Sequence, residues 1–293
     1  MSIFKKVGIA ARHRSESIAE TLRKLEAFLT KAKQPFVVDK QIQDLLPEAS
    51  PRFTYLSQVE MAKCCDLFIV LGGDGSLLQA APIAAKAQIP VVGINKGRLG
   101  FLTDITPTEL EKDLEQILSG LFLEEHRFLI SADITGEIDS QEQNKALNDI
   151  VLLPGDVAHM IEFEIYINKE FVCKQRADGL IIATPTGSTA YALSGGGPIL
   201  YPQLDAIVLV PMFPHTLSNR PIVVQGNSLI EVTISPQNEA NPWLSCDGRK
   251  KRVVKAGESI KIQRSEERVR LIHPEHYNYF ETLRTKLGWS GKI

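Results

Sequence analysis

The 293-residue chain contains no run of 18 apolar residues, and its opening, MSIFKKVGIAARHRSES, lacks the apolar core of an export signal. Neither a membrane span nor secretion is expected, and a cytoplasmic location is. Cysteine is scarce. Cys64 and Cys65 are adjacent while Cys173 and Cys246 stand alone, so none has zinc-ligand spacing and all four are read as reduced thiols. His13, His126, His159, His215, His273 and His276 form no HExxH or clustered set. A dominant sign of charge is also missing, because a formal net charge of −2 leaves no electrostatic footprint for nucleic acid. Low-complexity segments and internal repeats are absent. With 44% hydrophobic and 23% charged residues, the composition is that of an ordinary globular protein long enough for two domains.

The most informative stretch is DLFIVLGGDGSLL, residues 66–78. Five apolar residues from Leu67 to Leu71 predict a buried strand, and Ser76 opens a run to Ala87 with helical spacing. Between them lie Gly72, Gly73, Asp74 and Gly75. This is neither a GxGxxG fingerprint nor a Walker A loop, since no Lys-Ser/Thr pair follows the last glycine. A strand-turn-helix of this kind aims free N–H groups at one point, which suits phosphate. Asp74 is repelled by phosphate, so its expected use is to accept a proton from an attacking hydroxyl. A plain turn or N-cap role for Asp74 is the alternative.

Along residues 1–127, strands near 6–11, 35–38, 67–71 and 90–94 alternate with helices near 17–33, 57–65, 76–87 and 107–120. Such alternation predicts an α/β domain with a parallel sheet, and ligands at the carboxyl ends of its strands. Ser57 with Glu60 has capping-box spacing. From Phe128 the period becomes two. Residues 159–168 alternate Ile161, Phe163, Ile165 and Ile167 with polar neighbours, and short strands recur near 180–183, 206–210, 229–234, 259–262 and 269–272. Residues 128–267 are thus expected to form an all-β, sandwich-like domain, with 136–144 as a hairpin loop. The apolar tail 268–293, carrying Tyr277, Tyr279, Phe280, Leu283, Leu287 and Trp289, is expected to pack back on the first domain.

A second constellation is RADGLIIATPTGSTAYALSGGGP, residues 176–198. Hydroxyls, exposed amides and one carboxylate around a short strand suit a ligand with riboses and phosphates, although a Ser/Thr/Gly-rich loop would look similar. Asn148-Asp149 is open in the same way: a β-turn, or a pair that bonds a base or ribose.

Taken together, GGDGS, VGINKGRLGFLTD, the Asn148-Asp149 pair, HMIEFEIYI, DGLIIATPTGSTAYALSGGGP, LVPMFPHTLSNRPIV and LIHPEHYNYFETLRTKLGW resemble the NAD kinases of bacterial type over nearly the whole chain. GGDG is shared with lipid kinases and phosphofructokinases, whereas TPTGSTAYALSGGGP with its upstream Asp-Gly is characteristic of NAD kinases. The resemblance implies ATP-dependent phosphorylation of the adenosine-ribose 2′-hydroxyl of NAD, a divalent cation (Mg²⁺) accompanying ATP, and a homotetramer. It implies Asp74 as the proton acceptor, within a turn of Gly72, Gly73, Gly75 and Ser76. It further implies dinucleotide contacts from Asn148, Asp149, Asp178, Thr186, Thr189, Ala190, Tyr191, Ala192, Leu193 and Ser194, with Phe101, His159 and Arg176 lining the same site. A basic residue at the place of Arg176 implies a strict preference for ATP and oxidised NAD. Three departures stand out: Ser76 where Thr is frequent, Asp149 for the usual Glu, and Arg249 for the usual Gln. A non-catalytic dinucleotide sensor and a lipid kinase of the GGDG superfamily are the competing functions. The sensor has no need of Asp74, and the lipid kinase needs an apolar groove.

Overall fold

The computed structural model describes residues 2–12, 15–45, 53–97, 99–135, 144–155, 160–216, 218–249 and 252–289. The chain forms two compact units, Met1–His126 with Arg268–Ile293, and Arg127–Glu267.

In the first unit Val7–Ala11 (β1), Glu16–Lys31 (α1), Phe36–Asp39 (β2), Tyr55–Leu56 (β3), Gln58–Met61 (α2), Leu67–Leu71 (β4), Asp74–Ala87 (α3), Val91–Ile94 (β5) and Leu110–Ser119 (α4) follow one another. The strands lie in the order β3-β2-β1-β4-β5 and every pair is parallel. β1 and β4 are buried at all positions, as expected of strands covered on both faces. α1 buries Ile18, Leu22, Leu25 and Leu29 on one stripe, in the same core as Val7, Ile9, Leu67 and Ile69. Strand order reverses between β1 and β4. That switch point places Arg12 and the turn beginning at Gly72 at adjacent carboxyl ends, where ligands of open α/β sheets bind.

Helix ends differ from the sequence expectation in informative ways. α3 starts two residues earlier, at Asp74, because Gly73 serves as N-cap and an acidic residue is favourable in a first turn. α4 starts later, at Leu110, because Thr106 to Glu109 form a turn in which the Thr106 hydroxyl donates to the Glu109 carboxylate at 3.0 Å. The Ser57–Glu60 capping box is present, but the helix behind it ends at Met61.

The second unit is antiparallel. Leu123–Ile134 (β6) leads into it, followed by Lys145–Ala146 (β7), Asp149–Leu153 (β8), Ile161–Ile167 (β9), Glu170–Ala177 (β10), Gly179–Ala183 (β11), the short helix Tyr191–Ser194 (α5), Ala206–Met212 (β12), Ile222–Gln225 (β13), Ile230–Ile234 (β14), Trp243–Cys246 (β15), Arg252–Val253 (β16) and Ser259–His273 (β17). One sheet runs β10-β9-β14-β17 and the other β13-β12-β11-β8-β15-β16. Alternate residues of the two, among them Phe163, Ile165, Val232 and Ile260 against Ile150, Leu152, Ile182 and Leu209, share one core. The outer face of the second sheet is covered by the chain after β11, where Ala192 and Leu200 pack on Ile181, Val208 and Val210. Of the expected 136–144 hairpin loop, only Asn144 lies among the described residues.

The two strands expected at 259–262 and 269–272 are one strand, β17. Its charged middle misleads: burial still alternates there, with Ser265 inside and Glu266 outside. In the first unit Leu271 of β17 pairs in parallel with Val91 of β5. Tyr279–Leu287 (α6) then forms, capped by Asn278, whose side chain accepts from the Glu281 N–H at 3.1 Å. The tail belongs to the first unit, with Leu283 buried. Phe280 and Trp289, expected to be covered, are 55% and 60% exposed.

Candidate active site

In the first unit the carboxylate of Asp74 is held by the loop after β5. Its Oδ2 accepts from the Phe101 N–H at 2.9 Å, while Oδ1 accepts from the Leu102 N–H at 3.0 Å and the Thr103 hydroxyl at 3.3 Å. Gly100 is required at this approach, because a Cβ there would fall inside the Asp74 carboxylate. Two carboxylate oxygens offer about four lone-pair directions, so these three donors leave about one for a ligand. Gly72 has φ +130, Gly73 is exposed, and Ser76 is buried within the first turn of α3. Phe101 is half-buried with the Lys286 ammonium 5.7 Å from its ring centroid.

Two basic residues that the motif reading passed over flank this turn. Positions built for a Cβ on Gly75 and Gly72 come within 3.6 Å of Arg12 Nη1 and 3.7 Å of Lys96 Cε. Both side chains are exposed and follow strand ends, β1 and β5. The strand-end rule was the available signal for them.

In the second unit Asn148 and Asp149 are fixed from two sides. The Thr184 N–H donates to the Asn148 carbonyl at 2.9 Å and the Thr184 hydroxyl to the Leu147 carbonyl at 2.5 Å. Gly187 packs so closely on the Asn148 carbonyl that no Cβ fits between them. From the other side the Asp247 carboxylate accepts the N–H groups of Leu147, Asn148 and Asp149 at 2.8, 2.8 and 3.1 Å. Asn148 Oδ1 is buried and unbonded. Burial, and after it the Asp247 charge, pushes the Asp149 carboxyl up to about 7. Burial and Asp247 also push the Cys246 thiol to about 12, which keeps it protonated and inert. Arg249 donates to the Cys246 carbonyl at 3.2 Å and to the Lys145 carbonyl, with Nη2 3.7 Å from Asp247.

The remaining predicted residues fall in three places. Thr186 is buried, receives a hydrogen bond from Arg127 at 3.3 Å, and its carbonyl accepts from the Thr189 hydroxyl at 3.2 Å. Beyond Ala190, Tyr191 and Ser194 line a cavity of about 460 Å³ with Ile181, Met212, Phe213 and Arg220, while Leu193 is half-buried. Ala192 points the other way, fully buried against the sheet, so only its backbone is available to a ligand. Arg176 is exposed on β10, facing Glu162 in register, and lines a second cavity of about 560 Å³ with His215 and Asn238. Asp178 is half-buried, with its N–H donating to the Met212 carbonyl at 2.9 Å. His159 lies outside the described residues.

A carboxylate anchored beside a helix N-terminus at the switch point of a parallel sheet suits a phosphotransferase with a hydroxyl acceptor. Comparison with known proteins narrows the class. Residues 7–122 match the ATP-NAD kinase N-terminal domain and residues 147–274 the ATP-NAD kinase C-terminal domain. The chain is 49% identical to the NAD kinase of Teredinibacter turnerae over 291 residues, 99% of each chain. It is also 49% identical to that of Ectopseudomonas mendocina over 293 residues, 100% of this chain and 99% of the other. Among solved structures it resembles yeast NADH kinase complexed with NADH, with a TM-score of 0.87 and 26% identity, covering 99% of this chain and 89% of that one. An NAD kinase from Archaeoglobus fulgidus in complex with ATP gives a TM-score of 0.74 and 26% identity, covering 96% and 99%. The chain belongs to the ATP-NAD kinase family.

Proposed function

We propose that this chain transfers the γ-phosphoryl group of ATP to the 2′-hydroxyl of the adenosine ribose of NAD, giving NADP. The observation that carries the reading is the Asp74 carboxylate, anchored at the switch-point turn with about one lone-pair direction left open. In this reading that direction accepts the proton of the 2′-hydroxyl as its oxygen attacks phosphorus. Phosphoryl transfer asks mainly for positioning and charge neutralisation. Arg12, Lys96 and the amides opening α3 supply charge and donors for the triphosphate. Asn148, Asp149, Asp178 and the 186–194 segment hold the dinucleotide, with Arg176 setting the preference for its oxidised form.

A divalent cation belongs to the reaction as the companion of ATP. The described residues contain no group of three or more His, Cys, Asp or Glu side chains that could hold a metal ion, and Asp74 is engaged by three donors. No helix among the described residues is long and apolar enough to cross a membrane, and all four cysteines are free thiols, which fits the reducing cytoplasm. A homotetramer assembled through the second unit completes the reading.

An assay with purified protein, NAD, ATP and Mg²⁺, reading NADP with an NADP-specific dehydrogenase, tests it. NADP must form and must depend on ATP. Tight NAD binding without turnover would instead identify a sensor, and phosphorylation of diacylglycerol a lipid kinase.

A further inference from the structure

We propose that Asp247 is a positioning residue for the dinucleotide: its buried carboxylate gathers three consecutive backbone N–H groups and so sets the place of the Asn148-Asp149 pair. The inference rests on the reading that this pair contacts NAD.

The geometry is unusual for a surface turn. Asp247 follows β15 in a tight turn with φ +50, a left-handed conformation that Asp adopts more readily than most residues. Its side chain is wholly buried, so it cannot touch a ligand itself. It instead accepts from Leu147, Asn148 and Asp149, while its own N–H donates to the Asp149 carbonyl at 2.9 Å. Residues 147–149 lie where β7 gives way to β8, so their amides have fewer strand partners than those farther along β8. One carboxylate satisfies all three and fixes the backbone from which the Asn148 and Asp149 side chains project. Three donors aimed at two oxygens suit the ionised form, since a proton on either oxygen would oppose an N–H. Burial outweighs the three amides and Arg249 and holds the Asp247 carboxyl above the usual carboxylate range, while the amides favour its ionised form.

The Asp247 carboxylate beside Asp149 then has a functional consequence. Asp149 accepts a hydrogen bond from a ribose hydroxyl more strongly when ionised, and both burial and Asp247 resist that ionisation. The other groups around the pair are Cys246 on β15, the Arg249 guanidinium in the turn, and Arg252 on β16; Thr184 faces it from the end of β11 and carries no charge. Asp247 is therefore the acidic group that acts on Asp149, and Arg249 is the cation beside Asp247.

The experiment measures NAD affinity of the full-length protein by calorimetry from about pH 5.5 to about pH 8.5. In the wild type, binding strengthens as pH rises through about 7. Asp247→Asn removes the charge and one acceptor, so NAD binding weakens at least about tenfold, the KM for ATP stays within about twofold, and the midpoint moves to lower pH. If Asp247→Asn leaves NAD affinity and midpoint unchanged, or weakens NAD and ATP alike with the midpoint fixed, the inference is wrong. Should Asp247→Asn fail to fold, Asp247→Glu decides: it keeps the charge but displaces the acceptor from the three amides, so an unchanged NAD affinity overturns the inference. Asp149→Asn separates the two levels. If it leaves NAD affinity intact, the placement of NAD at the pair fails; if it weakens NAD while Asp247→Asn does not, only the present inference does.

Discussion

Asp74 carries two demands on one carboxylate, a reactive one and a structural one. Asp74→Asn removes basicity, and it also turns an amide N–H₂ toward either the Phe101 or the Leu102 N–H, where an acceptor is needed. The expected result is a kcat about 10²–10⁴-fold lower, with stability reduced by about 1–3 kcal/mol from the mismatched donor. Steady-state kinetics alongside a thermal melt separates the two. A variant with near wild-type kcat would remove Asp74 from the chemistry, whatever its melting temperature. Asp149 makes a second residue-level case. Its folded pKa is raised from 3.8 to about 7, so above pH 7 the folded state must hold a buried charge, and below about pH 4 neither state does. Stability is therefore lost as pH rises from about 4 through 7, by up to about 4 kcal/mol. Without ligand, Asp149→Asn should melt higher than wild type at pH 8 and equally near pH 4; equal gains at both would contradict the shift. At Arg176 the family expectation is discrimination against NADH. A fixed cation should by itself favour the neutral reduced ring over the cationic oxidised one, so the effect must come from packing in the cavity shared with Glu162 and His215. Arg176→Gly should raise kcat/KM for NADH relative to NAD, and an unchanged ratio moves discrimination elsewhere. The strand-turn-helix around Asp74 and the short strand β11 were legible from spacing, whereas the roles of the residues in both constellations rest on the family resemblance. Asp247 was not, because it acts on an amide run 98 residues away in sequence, and only its place in the Ser-Cys-Asp-Gly turn hinted at a role.

Between residue and domain, the elements were legible where burial repeats regularly. β1, β4 and α1 were predicted within one or two residues, because nothing competes with a continuous or 3.6-period apolar pattern. β17 was not, because its charged side chains stand off the outward positions of a strand whose inward ones stay buried. The end of β17 also bears on how the tail is held. His273 is 1% exposed, with Nδ1 2.9 Å from Asp104, Nε2 3.4 Å from Glu125, and its ring stacked on Tyr277 at 4.0 Å between centroids. Burial disfavours its charge, but the two carboxylates outweigh burial and raise its pKa above 6.5. For a raised histidine, the stabilisation is complete below pH 6.5 and is lost as pH rises through the folded value. Hydrogen exchange of α6 amides, corrected for intrinsic rates, should therefore show protection declining with pH in wild type and not in His273→Gln. Identical pH dependence in both would mean that other contacts hold the tail.

For the whole molecule the open question is assembly. The 209–217 stretch was expected to carry more apolar surface than a lone sandwich can bury, and the second unit bears this surface around one cavity: Phe213 is 77% exposed and Tyr191 43%, joined by Met212, Pro214 and Pro221, with Val223 46% exposed on the neighbouring edge strand β13. Phe213 also has φ +44, a conformation that a bulky side chain adopts only at an energetic cost. Strain retained to hold an aromatic ring in water is best explained by a partner that covers it, and a second copy of the same surface is the economical partner for a closed symmetric assembly. Light scattering at assay concentration should accordingly report a multiple of 32.5 kDa, four for the tetramer. Phe213→Asp should shift it toward smaller species. Because Tyr191 and Ser194 share that cavity, the same variant should raise the KM for NAD more than that for ATP. A wild-type protein that is monomeric and fully active at that concentration would overturn the assembly; an unchanged assembly in Phe213→Asp would place the interface on another face of the sandwich.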